Sequence, residues 1–328
     1  MLKSIILGII ISAILILSSC TKPSAVAHKP RLIFKFVFDS TQVRLDSLGN
    51  PKSMPAGHAG QSPQMNVMSA HYIELAPTAY TALGTGAVLY KTPTTTAGGA
   101  SAIDFAKEPL TANEASVYSV ELDSVTPGTY QWLRVSLAYQ NYNVNLHYDT
   151  SFNYYYQGTN YPIVIDQLLP CTVASFVGYN TYITSYNVNT QGFPINANKL
   201  QGYWGFESKG TINYSQGGLT YPYPYNFLSQ GQAPPGSTTV VNPLFASSPI
   251  PAGSCVATGQ FKSAQNRTQN TVLTVTGRET NDIVVTISLS TNKSFEWIDV
   301  INNGTWEPSK GETIVDMGIR GLIPYVQQ

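Results

Sequence analysis

Residues 31–39 alternate strictly, with Leu32, Phe34, Phe36 and Phe38 on one side and Arg31, Lys35 and Asp39 among those on the other. Side chains of an extended chain point to opposite faces in turn, so this pattern predicts a half-buried β-strand. Segments of the same period recur at Val67–Leu75, Val117–Val125, Tyr130–Tyr139, Thr271–Thr276 and Asp282–Leu289. Turn signals separate them, among them Leu48-Gly49-Asn50-Pro51, Gly98-Gly99, Thr126-Pro127-Gly128 and Asn302-Asn303-Gly304. No stretch after the first twenty residues has the 3.6-residue period and caps of a long amphipathic helix. The prediction is an all-β chain: an antiparallel β-sandwich or barrel-like domain over 31–328, with long irregular loops. The stretch 141–251 is rich in Tyr, Asn, Gly and Pro and reads as elaborate loops with inserted strands. A loop-rich subdomain inserted at 151–255 is the alternative. The strands near 272–289 are expected to return beside the opening one.

The start of the chain has a different pattern. Met1-Leu2-Lys3-Ser4 is followed by an apolar run from Ile5 to Leu17, the layout of a secretory signal. It is short for a membrane span, which needs about 20 apolar residues. The run closes on Leu17-Ser18-Ser19-Cys20, which resembles the lipobox of bacterial lipoproteins: a large aliphatic residue, two small ones and the cysteine that is acylated. The expectation is a signal peptide over 1–19, lipidation at Cys20 and a short tether over 20–30. The mature protein would then be held on a membrane, the outer membrane by preference, without crossing it. Asp39-Ser40-Thr41, Asp46-Ser47-Leu48 and Asp123-Ser124-Val125 resemble the O-glycosylation acceptor of exported Bacteroidota proteins, in keeping with that address.

Composition narrows the function. Lys plus Arg and Asp plus Glu number 18 each, so no net field favours nucleic acid as a partner. Charged residues are only 11% of the chain while tyrosine reaches 21 copies, a neutral polar surface suited to glycans or to another envelope protein. Two cysteines remain besides Cys20. In an oxidising compartment Cys171 and Cys255 are expected to pair, worth about 4 to 5 kcal/mol in the chain-entropy model, with two buried thiols as the alternative.

Three groups of side chains carry candidate chemistry. Met54, His58, Met65, Met68 and His71 gather three of the 5 methionines and two of the 4 histidines. Thioether and imidazole select copper, so copper is the one cofactor in play, set against a reading in which these residues simply pack. Tyr203 and Trp204, flanked by Gly202 and Gly205, and the run Tyr221-Pro222-Tyr223-Pro224-Tyr225 offer flat rings for a ligand such as a sugar; filling the core is the competing use. For catalysis there is no His-Glu-x-x-His, Gly-x-Ser-x-Gly or P-loop. Glu207, Glu296, Asp299 and Asp316 are the carboxylates open to acid-base work, and surface or turn roles compete with it.

The order of motifs is similar to the MbnP-like lipoproteins, a family of exported β-rich proteins linked to copper in some members. The resemblance runs through Leu32 to Phe38, Arg44-Leu45-Asp46-Ser47-Leu48-Gly49, His71-Tyr72-Ile73-Glu74-Leu75, Pro127 to Arg134, Tyr203-Trp204-Gly205-Phe206 and the late strand pair. It implies a sandwich-like exported domain and raises copper as a ligand. Where members carry histidine in a late strand, this chain has Cys255-Val256-Ala257-Thr258-Gly259-Gln260-Phe261. The architecture therefore carries over and the ligand set does not. The leading expectation is a non-catalytic binding or scaffolding lipoprotein of the cell envelope, followed by copper binding, then by glycan binding or degradation.

Overall fold

The computed structural model describes residues 28–46, 49–216, 218–234 and 254–327. Cys20, the signal segment and most of the tether lie outside them. The described residues are all-β: the helical segments among them are short 3-10 turns such as Leu122–Ser124. None of their helices is long and apolar enough to cross a membrane.

The opening strand Arg31–Asp39 buries Leu32, Phe34 and Phe36, the parity its alternation predicts. It lies in a five-stranded sheet between Tyr118–Glu121 and Ile283–Ser290, which is joined in turn by Leu322–Val326 and Lys262–Ser263. Of the late strands expected to return, Ile283–Ser290 does lie beside the opening one, Leu32 opposite Ile283 and Phe38 opposite Leu289, but the pair is parallel within an otherwise mostly antiparallel fold, whereas Leu273–Val275 pairs instead with Gly128–Tyr130. Against this sheet packs a larger one, in the order Leu219–Gln232, Tyr203–Gln216, Thr159–Phe176, Trp132–Tyr156, Gln64–Ala76 and Ala87–Lys91, with Cys255–Gln260 beside the start of Trp132–Tyr156. Phe34, Phe36, Val285 and Ile287 from one layer share a core with Ile73, Leu75, Val135 and Leu137 from the other. The arrangement is sandwich-like. Each fully buried Leu, Ile or Phe contributes about 1.5–3 kcal/mol.

A three-stranded sheet of His58–Gln61, Phe295–Ile298 and Ile314–Met317 closes one side and places Phe295 and Trp297 in the core, where Phe295 meets Trp306 edge-on at 4.9 Å. A four-stranded sheet led by Gly192–Leu200 and Asn180–Asn187 closes another, over Tyr139, Phe176, Ile183, Tyr186 and Tyr203.

Within the stretch expected to be irregular, the described residues up to 234 are instead mostly long strands. Trp132–Tyr156 is a single strand of 25 residues, and Thr159–Phe176 pairs with it from the body to the tight turn at Gln157 and Gly158. Both turn residues take positive φ, +49° and +79°, a hairpin turn that glycine and amide residues tolerate. The Tyr-Pro run also lies in a strand, Leu219–Gln232. Its strand is the edge of the sheet, where Pro222 and Pro224 forfeit no ladder hydrogen bond to a further neighbour.

The expected disulfide is absent. Cys171 and Cys255 are buried free thiols. Cys171 lies opposite Val144 and Cys255 opposite Leu137, on the same long strand. That spacing is about 23 Å at the rise of a strand, against a Cα separation under about 7 Å in a disulfide. Burial raises both thiols, Cys255 to about 12, so neither is a reactive thiolate at neutral pH.

Candidate functional site

The sheet divides into two arms. Thr159–Phe176 and Tyr203–Gln216 are hydrogen-bonded only from Thr172 opposite Glu207 to Phe176 opposite Tyr203. Beyond that junction each pairs with its own hairpin partner, and the two hairpins meet through side chains. Their facing rows are apolar near the body, where Leu146, Ile165, Leu169, Ile212 and Tyr225 are buried. Cross-arm ring contacts continue the row, Tyr148 with Phe227 at 5.1 Å and Phe152 with Tyr223 at 6.2 Å. At the tips the rows part around a cleft of about 570 Å³ lined by Tyr154, Tyr156 and Tyr161 of one arm and Tyr214, Tyr221 and Gln216 of the other. Tyr154 and Tyr156 are near-parallel, 9° apart, as are Tyr214 and Tyr221 at 24°. Tyr154 and Tyr156 are about half exposed. No charged residue occurs between Asp149 and Asp166 or between Lys209 and Lys262, so both tips are uncharged.

The five aromatic residues singled out from sequence divide along this axis. Tyr221 and Tyr223 stand at the tip, partly exposed, whereas Tyr225 is buried between the arms. Tyr203 and Trp204 belong to the junction at the other end of the hairpin, opposite Gln232 and Gly231. Tyr203 is buried and its hydroxyl bonds to Gln230. Trp204 stacks on Phe206 at 6.0 Å and lies across Gly231, where a Cβ would come within 2.5 Å of its ring. Gly205 receives the Tyr186 ring rather than a ligand. Tyr154, Tyr156, Tyr161 and Tyr214 were missed, although the run Phe152 to Tyr156 before Gln157-Gly158 marks an aromatic hairpin tip in the sequence itself.

On the outer face at the root of the arms is a second, polar cleft of about 590 Å³. Its floor is Asn143, Asn145, Thr172 and Glu207, and its walls are the turns holding Gln61 to Gln64 and Asn189 to Thr190. Glu207 is buried and accepts from the backbone N–H of Asn189 at 3.1 Å, Thr190 at 2.9 Å and Gln191 at 2.9 Å, and from the Thr190 hydroxyl. Burial alone would raise its carboxyl, but those donors outweigh it and hold the group below its ordinary range. Glu207 is thus an ionised anchor for the 189–191 turn.

The remaining carboxylates are equally engaged. Glu296 is fully buried, 2.5 Å from Arg44, 2.5 Å from His58 Nδ1 and 3.1 Å from Arg320, which also pairs with Asp316. Burial pushes the Glu296 carboxyl up, and the His58 hydrogen bond with the charges of Arg320 and Arg44 brings it below the ordinary value. Asp299 caps a loop by accepting from Asn303 N at 3.1 Å and Gly304 N at 2.9 Å.

The methionine-histidine set is dispersed. His58 lies in the three-stranded sheet and bonds to Glu296, while Met65, Met68 and His71 lie on Gln64–Ala76. Met68 is in the core, Met65 packs against it, and Met54 is half-buried in the loop before His58. His71 is enclosed, and burial lowers its imidazole to about 4, so the ring is neutral. Among the described residues no group of three or more His, Cys, Asp or Glu is placed to hold a metal. The five side chains are spread over the loop before His58, the strand His58–Gln61 and the strand Gln64–Ala76, with His58 engaged by Glu296.

His147, which sequence reasoning passed over, sits where the long hairpin leaves the body. Its Nε2 is 2.5 Å from Asp166 and its Nδ1 bonds to Glu307, and Lys310 pairs with Asp149 at 3.0 Å close by. The bonds to Glu307 and then Asp166 outweigh the opposing effect of burial and raise the imidazole above its ordinary value. This cluster straps the 303–310 loop to the arm.

No protein-family model, no curated protein and no solved structure matches this chain.

Proposed function

We propose that this protein is a lipoprotein of the cell envelope, tethered through Cys20, whose paired arms form a non-catalytic binding site for neutral glycan chains. The observation that carries this reading is the uncharged, tyrosine-lined cleft between the arm tips. A sugar ring presents a C–H face that stacks on a tyrosine and a hydroxyl rim that bonds to phenolic O–H and amide groups. Two pairs of near-parallel rings facing across one cleft suit a chain of such rings. The tip spends no charge on this ligand, in keeping with a neutral one. The lipobox-like Leu17 to Cys20 supports the tether, and the carboxylates already engaged in the fold support a binding role over hydrolysis.

Glycan arrays followed by calorimetry test the site. The intact protein is expected to bind neutral oligosaccharides, and the double substitution Tyr154→Ala with Tyr221→Ala to weaken binding by about 5- to 150-fold, since stacking a ring contributes about 0.5–1.5 kcal/mol per pair. Both residues are partly exposed and each stacks on one neighbouring ring, so the double variant should lose only about 0.5–2 kcal/mol of stability and still fold. An array blank for every neutral glycan, or full binding by the double variant, rejects the reading. Incorporation of labelled palmitate by the intact chain, and its loss in Cys20→Ser, tests the tether separately.

A further inference from the structure

We propose that the outer-face cleft at the root of the arms is a second site, independent of the tyrosine tips, that takes an acidic saccharide of the uronate kind. The cleft is built before any ligand arrives. The Gln61 side chain serves as a strand partner for the backbone of Asn145, donating to its carbonyl at 2.6 Å and accepting from its N–H at 2.9 Å. Thr172 donates to Asn143 at 2.9 Å, and Asn143 exchanges with Asn66 at 3.3 Å and 3.2 Å. Glu207 fixes the opposite wall through the 189–191 turn.

Against these fixed walls, four groups are unspent. The side chains of Gln64, Asn145, Asn189 and Lys209 line the cleft, and among the described residues none has a side-chain hydrogen bond or an ion pair. Each amide offers two donors and an acceptor, the complement of a hydroxyl that both donates and accepts. Three amides around one concavity therefore match a ring carrying several hydroxyls. Among the described residues no aromatic side chain lines the cleft, so recognition rests on hydrogen bonds rather than stacking.

Charge completes the assignment. The Glu207 carboxylate stays ionised, but its oxygens are taken up by the donors of its own turn, while the Lys209 ammonium lines the cleft with no ion pair among the described residues. A ligand carboxylate placed there makes a charge-assisted hydrogen bond, about twice as strong as a neutral one. Hydroxyls for the amides and one carboxylate for the ammonium describe a uronate unit.

The test is calorimetry of the full chain with galacturonate oligomers, and with the neutral galactose oligomers as their uncharged counterpart, at low and at physiological salt. The uronate oligomer is expected to bind, more weakly at higher salt. Lys209→Met should weaken it about tenfold or more, and Asn145→Ala and Asn189→Ala a few-fold each, while the Tyr154→Ala, Tyr221→Ala double variant leaves it unchanged. All three residues are exposed, so these variants fold. Failure of the intact protein to bind uronates, equal affinity for the neutral counterpart, or indifference to Lys209→Met overturns the proposal. So does capture of peptides in place of uronates. Loss in the tyrosine double variant would instead assign the binding to the arm tips.

Discussion

The body and the arms solve the same problem, a β-sheet that must cover its apolar face, in opposite ways. In the body two broad layers bury aromatic and aliphatic side chains on every side, and within that shell the protein keeps a fully enclosed carboxylate, Glu296, among Arg44, His58 and Arg320. The arms are a sandwich one side-chain row deep. Their facing rows hold Ile, Leu and rings but no ion, because a layer that thin leaves any charge close to water while stripping part of its hydration. Charge in the arms is confined to the root, at Asp149, Asp166, His147 and Lys209. Buried ionic networks thus mark the part of this molecule whose shape is fixed on all sides, and stacked rings the part that keeps an open face.

Substitutions in the two regions should separate accordingly. The largest effect is expected from Glu296→Ala, which strands two guanidinium groups and His58 in the body; urea unfolding should register a loss of about 3–5 kcal/mol. Because the native Glu296 carboxyl lies below its ordinary value, the stability it gives is present above about pH 4.5 and lost as pH falls through the lowered value, so the variant should have a flatter acid limb. Next comes Ile212→Ala in the facing row of the arms, at about 2–5 kcal/mol. Hydrogen exchange should show protection lost at 144–170 and 208–228 while the ladder between Arg31–Asp39 and Ile283–Ser290 keeps its own; loss in both places would mean that arms and body unfold as one unit. The smallest effect belongs to His147→Asn at the boundary, about 1 kcal/mol or less. Its imidazole is raised by Glu307 and Asp166, so its contribution is complete below about pH 6.5 and disappears as pH rises through the raised value. Melting temperatures of wild type and variant should converge across that interval, and a gap that widens with pH would contradict the assigned pairing.

Local alternation was enough to read the body. Leu32, Phe34 and Phe36 face inward as their period requires, and Ile283–Ser290 forms a strand by the same rule, although its parallel pairing with the opening strand is not written in the alternation. Alternation misleads where the strand is bulged. Gln64–Ala76 shifts register between Met65 and Val67 and on both sides of Ala70, so Met68, expected on the face opposite to Ile73, joins it in the core. The arms were illegible for another reason: Pro222 and Pro224 argue against a strand in isolation, and that they sit on a sheet edge depends on pairing with residues far off in the chain. The same holds for the polar cleft, whose walls come from segments around 61, 145, 189 and 207. The cysteine expectation failed because compartment chemistry says that thiols would oxidise, whereas position along one strand decides that these two cannot meet.

The near absence of Lys and Arg from the arms also bears on how they would resist trypsin-like peptidases. Trypsin-like enzymes cut after Lys or Arg, and none occurs from Val135 to Asn198, which contains the whole first arm, or from Gly210 to Phe261, which contains the second beyond its root. Even when an arm opens transiently it presents such enzymes with nothing to cleave except the bond after Lys209, so limited tryptic digestion would erode the body before it shortened the tips.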